Sequence, residues 1–199
     1  MQYGLEKEYF IYKDGIITSV PINLLPYDEC GYLVEARGKP ADNILEAVYL
    51  LKAEEHKLYA KAMENHYVLI VLPLDKIPPK LSLKLRRQFT KGITEYQNLY
   101  GYEAHRNGSL VTAGLHISFT NPRTIKNKEG YDIVVNGMFD YIQLFRLLDK
   151  EFKDEIKESK RNPGFYELKS DGRIEYRSLP NNVNLDKVID VITKWEEEK

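Results

Sequence analysis

The sequence predicts an α+β fold, a mostly antiparallel sheet with helices packed on one face, and three observations predict it. Segments that alternate apolar and polar residues recur as strands, some of them joined by Gly-containing turns. Segments with apolar residues at helical spacing lie between those strands instead of in one block. No repeat, low-complexity tract or linker interrupts the 199 residues, so the chain reads as one domain over 1–199. At 43% hydrophobic and 12% aromatic it can fill a core, which excludes intrinsic disorder.

The elements follow in order. A first strand, about Leu5 to Tyr12, turns at Lys13-Asp14-Gly15 into a short strand, Ile16 to Val20. Pro21 and Pro26 mark an irregular connection to a strand at Tyr32 to Arg37. Asn43, with Glu46 three residues on, is the expected N-cap of a helix ending near Asn65. Tyr67 to Leu74 reads as a buried strand, and Pro78-Pro79 separate it from a helix at about Leu81 to Tyr100. Leu110 to Thr120 and Tyr131 to Val135 are expected to form a hairpin. Met138 to Lys160 reads as one helix, followed by strands Phe165 to Lys169 and Arg173 to Leu179 joined through Asp171-Gly172, and by a last helix, Leu185 to Glu197.

Charge and cysteine content narrow the function. With 29 Lys+Arg against 30 Asp+Glu, the net charge of -1 excludes a protein that works through a generally basic surface, so nucleic acid is not an expected partner. A single cysteine, Cys30, excludes an internal disulfide and a thiolate zinc cluster. The longest apolar run, Tyr67 to Leu72, is too short to cross a bilayer, and the N-terminus has no basic leader with an apolar stretch. A soluble, cytoplasmic protein without a membrane partner is the expectation.

Alternation places the charges. Glu6, Glu8 and Phe10 share one strand face opposite Leu5, Tyr9 and Ile11; Leu33, Glu35 and Arg37 oppose Tyr32, Val34 and Ala36. Gly114, His116, Ser118 and Thr120 oppose Leu115, Ile117 and Phe119, and Arg173, Glu175 and Arg177 oppose Ile174 and Tyr176. By itself this pattern equally suits an antiparallel sheet with one wet face. Glutamates at i, i+2 repel one another, however, unless cations neutralise them, and Mg2+ or Mn2+ would do so through carboxylate oxygens. The arginines on that face would then suit phosphate oxygens.

Four segments together resemble the carboxylate-amine ligase, or amidoligase, superfamily that includes glutamine synthetase and glutamate-cysteine ligase, and more closely its short phage-type members. Gly4-Leu5-Glu6-Lys7-Glu8-Tyr9-Phe10 is similar to the opening G-x-E-x-E-aromatic strand, and Gly31 to Arg37 followed by Pro40 to the second glutamate-bearing strand. Ala113-Gly114-Leu115-His116-Ile117-Ser118 resembles the A-G-G-H-I-H strand, with Leu115 in place of the second glycine and Ser118 in place of the second histidine. Arg173-Ile174-Glu175-Tyr176-Arg177 resembles the R-x-E-x-R strand.

The resemblance implies a glutamine synthetase-like catalytic core with a curved sheet, and an ATP-dependent ligase that forms an amide or peptide bond through an acyl phosphate. It implies Glu6, Glu8, Glu35, His116 and Glu175 as ligands of Mg2+ or Mn2+, Arg173 and Arg177 as phosphate clamps, and Arg37, Arg161 and His116 as further contacts to nucleotide or substrate. Glu35, Arg173 and Arg177 would act in catalysis, on a small-molecule or peptide carboxylate and an amine, in a possible homo-oligomer. Two other readings share these residues: a regulatory protein that keeps the fold and nucleotide site, and a phosphotransferase related to guanidino kinases. The basic stretch Lys76, Lys80, Lys84, Arg86, Arg87 and Lys91 reads as the wet side of a helix, and Arg123, Lys126 and Lys128 as a solvated hairpin tip.

Overall fold

A computed structural model describes residues 1–18, 25–26, 33–71, 96–101, 113–120, 122–126, 129–130, 132–136 and 138–199; for 96, 122–126, 132–136 and 138–140 it describes the backbone alone. The elements are β1 (Gln2–Lys13), β2 (Ile16–Ile17), β3 (Leu33–Arg37), α1 (Ile44–Glu64), β4 (Val68–Ile70), β5 (Tyr96–Asn98), β6 (Gly114–Thr120), β7 (Pro122–Lys126), β8 (Asp132–Asn136), α2 (Met138–Glu151), α3 (Lys153–Glu158), β9 (Phe165–Leu168), β10 (Ile174–Pro180) and α4 (Leu185–Glu197). The fold is α+β, and every strand pairing among the described residues is antiparallel.

The sheet runs β2-β1-β6-β10-β9-β5, with β3 and β4 also paired to β1. One residue fixes how β1 is shared: Glu6 pairs with His116 of β6 and with Arg37 of β3, so those strands flank it on opposite edges. One face of the sheet is apolar. From β1, Tyr3, Leu5, Tyr9 and Ile11 join Leu115, Ile117 and Phe119 of β6 and Ile174 and Tyr176 of β10 in the buried core. The helices cover this face: Phe119 packs against Tyr141 and Phe145 of α2, and Tyr176 stacks on Phe145 at 4.9 Å. The Tyr3 and Tyr9 hydroxyls donate to Glu196 of α4 and Glu55 of α1, so the tyrosines reach polar partners at the helix side of the core.

Local chemistry explains most boundaries. Asn43 caps α1 by accepting from the Glu46 amide at 2.8 Å, and Asn65 closes it. Gly172, at φ +84°, makes the turn between β9 and β10, where a side chain at Cβ would strain the backbone. Between Tyr176 and Leu179 the register of β10 on β6 shifts, a bulge.

Four expectations differ from the structure. The helix expected to Tyr100 gives way by Tyr96–Asn98 to β5, which pairs with β9; its 81–95 portion lies outside the described residues. β6 does not form a hairpin with β8, because β1 and β10 occupy both of its edges; β8 pairs with β7. The helix expected over Met138 to Lys160 is broken at Phe152, where Lys187 covers the buried ring and donates to the Glu151 carbonyl. In place of a buried strand over Tyr67 to Leu74, β4 is short, with Val68 exposed and Leu69 buried. Residues 19–20, 32, 72–74, 110–112 and 131, the outer parts of expected strands, and the basic stretch from Lys76 to Lys91 lie outside the described residues.

Candidate metal centre

The polar face of the sheet carries a concentrated set of charges, and strand register puts them there. Glu8 of β1 stands directly opposite Glu35 of β3, and Glu175 of β10 directly opposite Glu167 of β9. Two such carboxylate pairs on one face are destabilising unless cations lie between them. Arg37 pairs with Glu35 through a 2.6 Å Nε bond and lies 3.7 Å from Glu6; Arg177 bonds Glu175 and, at 3.1 Å, Glu167. Lys169 lies 2.8 Å from Glu167 and 3.5 Å from Glu175.

His116 sits at the floor of this set. It is 1% exposed; its Nε2 is 3.6 Å from Glu8 Oε2, and its Nδ1, 3.7 Å from Glu175 Oε1, has no hydrogen-bond partner among the described residues. Burial holds its pKa well below the usual imidazole value, reinforced by the charges of Arg177, Arg161, Lys169 and Arg37, so the ring is neutral. A neutral imidazole has a lone pair for a cation. Glu6, His116 and Glu175 each bring one ligand atom to within 4.8 Å of the others. The Glu6 carboxyl is pushed up by burial and by the Glu175 charge, against the opposing pull of Arg37, Lys169 and Arg177.

Neighbouring groups fix these carboxylates. Glu8 accepts from the Gly114 amide at 2.9 Å, its backbone carbonyl accepts from Asn181, and Ser118 donates to Glu175 at 3.1 Å. Exposure grades from 1% at Glu175 and 4% at Glu8 and Glu35 to the half-buried Glu6 and the exposed end of Arg37. The site therefore has a buried floor and a wetter rim.

Of the nine residues singled out in the sequence, Glu6, Glu8, His116, Glu175 and Arg177 come together, with Glu35 and Arg37 at the β3 edge as an ion pair. The other two turn elsewhere. Arg173 precedes β10 and pairs with Asp171 in the turn at 2.7 Å. Arg161 donates to the carbonyls of Arg177 and Ser178 in the bulge, and its guanidinium lies over Gly114, where a Cβ would come within 2.6 Å of it. Glu167 and Lys169 were missed. The same i, i+2 alternation in Phe165 to Lys169 marks them, as it marked the glutamates of the other strands.

The sequence matches no model of a known protein family and no curated protein. No helix among the described residues is long and apolar enough to cross a membrane.

Proposed function

We propose that the chain is an ATP- and Mg2+-dependent carboxylate-amine ligase with a glutamine synthetase-like core. The observation that carries the reading is the convergence of Glu6, His116 and Glu175, with a fully buried imidazole nitrogen that has no hydrogen-bond partner among the described residues. Such an atom is costly unless a ligand completes it. Two carboxylates beside it suit a hard cation, Mg2+ or Mn2+, with Glu8 and the edge residue Glu35 as adjoining negative charge. When bound, the metal supplies positive charge to phosphate oxygens.

The reaction then needs little covalent chemistry from the protein. An oxygen of the substrate carboxylate bonds to the γ-phosphorus of ATP as the bond to ADP breaks. The amine nitrogen next bonds to the acyl carbon, phosphate leaves with the electron pair of its C–O bond, and the nitrogen releases a proton. Arg177 and Lys169, held between Glu167 and Glu175, are the cations best placed to meet phosphate charge. Arg37 at the half-exposed rim suits the substrate carboxylate. Arg173 and Arg161 take no phosphate role in this scheme, since the turn and the bulge engage them.

The ion pairs that close Arg177 on Glu175 and Arg37 on Glu35 favour a second reading, a regulatory protein that keeps the fold without turnover. Calorimetry separates the possibilities. ATP is expected to bind in the presence of Mg2+ or Mn2+ and not with EDTA, and Glu175→Gln is expected to abolish the metal-dependent part. An absence of metal-dependent binding by the parent protein would sink the ligase. Binding without ADP release, across a panel of carboxylates and amines, would favour the regulator.

A further inference from the structure

Away from the carboxylates, a cleft of about 650 Å³ opens beside α2 and α3. Arg146, Lys150, Lys153, Lys157 and Lys160 line it, spaced four, three, four and three residues apart. That spacing keeps Arg146 and Lys150 on one side of α2 and Lys153 and Lys157 on one side of α3, with Lys160 just beyond the end of α3. The opposite side, Leu148, Phe152 and Ile156, is buried in the core. All five cations are exposed, and none makes an ion pair among the described residues.

The one carboxylate in the lining does not offset them. Asp149 is buried and turned inward, accepting from the hydroxyls of Tyr176 and Tyr100 and from the Gly164 amide. Glu151, Asp154, Glu155 and Glu158 lie on the same helices but outside the lining, so the positive charge is concentrated on the cleft wall itself. One lining residue, Arg161, links the cleft wall to the candidate metal centre. Its guanidinium lies over Gly114, whose amide holds Glu8.

We propose that this cleft binds an acidic peptide, a carboxylate-rich stretch of polypeptide, and presents it to the Glu6–His116–Glu175 site. The presentation rests on the ligase reading; the binding does not. An extended peptide places alternate side chains roughly 6.6 Å apart on one side. Steps of four and three residues are about 6 and 4.5 Å along a helix axis, shorter than that repeat, and the long lysine side chains span the difference to reach alternate acidic residues. Four of the five unpaired cations are lysines, point charges that accept a single carboxylate in many orientations, whereas nucleic-acid phosphates are met mostly by arginine forks. The substrate class so defined is a peptide carboxylate.

The test uses the full chain without metal or nucleotide. A fluorescein-labelled deca-glutamate peptide is titrated by anisotropy, alongside a deca-glutamine peptide and an oligothymidylate of equal charge. The deca-glutamate peptide is expected to bind most tightly, weakening as salt rises. Lys150→Gln with Lys157→Gln, at exposed positions, is expected to weaken it about tenfold. Lys153→Gln with Lys160→Gln, a second exposed pair, is expected to do the same and guards against a folding defect in the first. Mn2+ binding by the parent protein is titrated separately, by calorimetry without peptide, so failure of the ligase reading and failure of the cleft are told apart. Tighter oligothymidylate binding, no preference over deca-glutamine, or unchanged affinity in both double variants overturns the proposal.

Discussion

Asp149 shows how one side chain ties a helix to the sheet. Its carboxylate accepts from Tyr176 of β10, from Tyr100 after β5 and from the Gly164 amide, joining α2 to both strands. Burial raises its pKa, although the three donors pull the other way. Between the ordinary carboxylate value and the raised one, the folded state keeps a proton that the unfolded state has released. The group's contribution to stability is therefore full at low pH and is lost as pH rises through that window. Replacing Asp149 by Asn is expected to cost about 1 kcal/mol, because the amide nitrogen can only donate and so reverses the bond with the Tyr100 hydroxyl. In urea titrations the difference from the parent should be larger at about pH 4 than at about pH 7; a gap that widens with pH would refute the assignment. Gly164 gives a second test at this scale. Its φ is +76° and a Cβ would lie 2.7 Å from the Tyr100 ring, so Gly164→Ala is expected to lower stability by roughly 1–2 kcal/mol or more. A variant as stable as the parent would show that Tyr100 moves aside freely.

Elements whose boundaries depend on their own residues were legible in the sequence; those that depend on distant partners were not. The Asn43 cap, the Gly172 turn and the helix Leu185 to Glu197 each follow from local chemistry, and each lies where the sequence put it. The same logic predicts that Asn43→Ala lowers stability by about 1 kcal/mol, read as a shift in the urea midpoint without a change in slope. An unchanged midpoint would mean that solvent satisfies the Glu46 amide equally well. At the break at Phe152, by contrast, the Glu151 carbonyl is taken by Lys187, 35 residues past Phe152, and the strand at Tyr96–Asn98 pairs with Phe165–Glu167. Neither partner is visible from within the segment it reshapes, so helical periodicity alone carried the expectation too far. The candidate site divides the same way. Period-two alternation located Glu6, Glu8, His116 and Glu175 on one face, but not the direct opposition of Glu8 to Glu35 or of Glu175 to Glu167, which is a matter of register. Nor could it foresee that a turn aspartate and the bulge carbonyls would draw Arg173 and Arg161 away.

At the scale of the molecule, the near-zero net charge conceals two separate accumulations. The sheet face gathers Glu6, Glu8, Glu35, Glu167 and Glu175 around Arg37, Arg177 and Lys169, while the cleft by α2 and α3 gathers cations with only the inward-turned Asp149 among them. The first accumulation opposes folding, because five carboxylates confined by the register keep company whether or not they are neutralised. A cation that binds the folded face and not the unfolded chain must then stabilise the protein by mass action, by about 2.7 kcal/mol at a hundredfold excess over its Kd. On this basis Mn2+ is expected to raise the Tm of the parent protein measurably, and Glu175→Gln, which removes a ligand and one of two opposed charges, is expected to remove that rise. The same substitution is expected to leave the metal-free protein no less stable than the parent, since relief of the Glu175–Glu167 repulsion offsets the lost ion pair with Arg177. Scanning calorimetry of both proteins with EDTA and with Mn2+ reads all four values. An equal Tm rise in parent and variant would place the cation elsewhere, and no rise in either would mean that Arg37, Arg177 and Lys169 already neutralise the face.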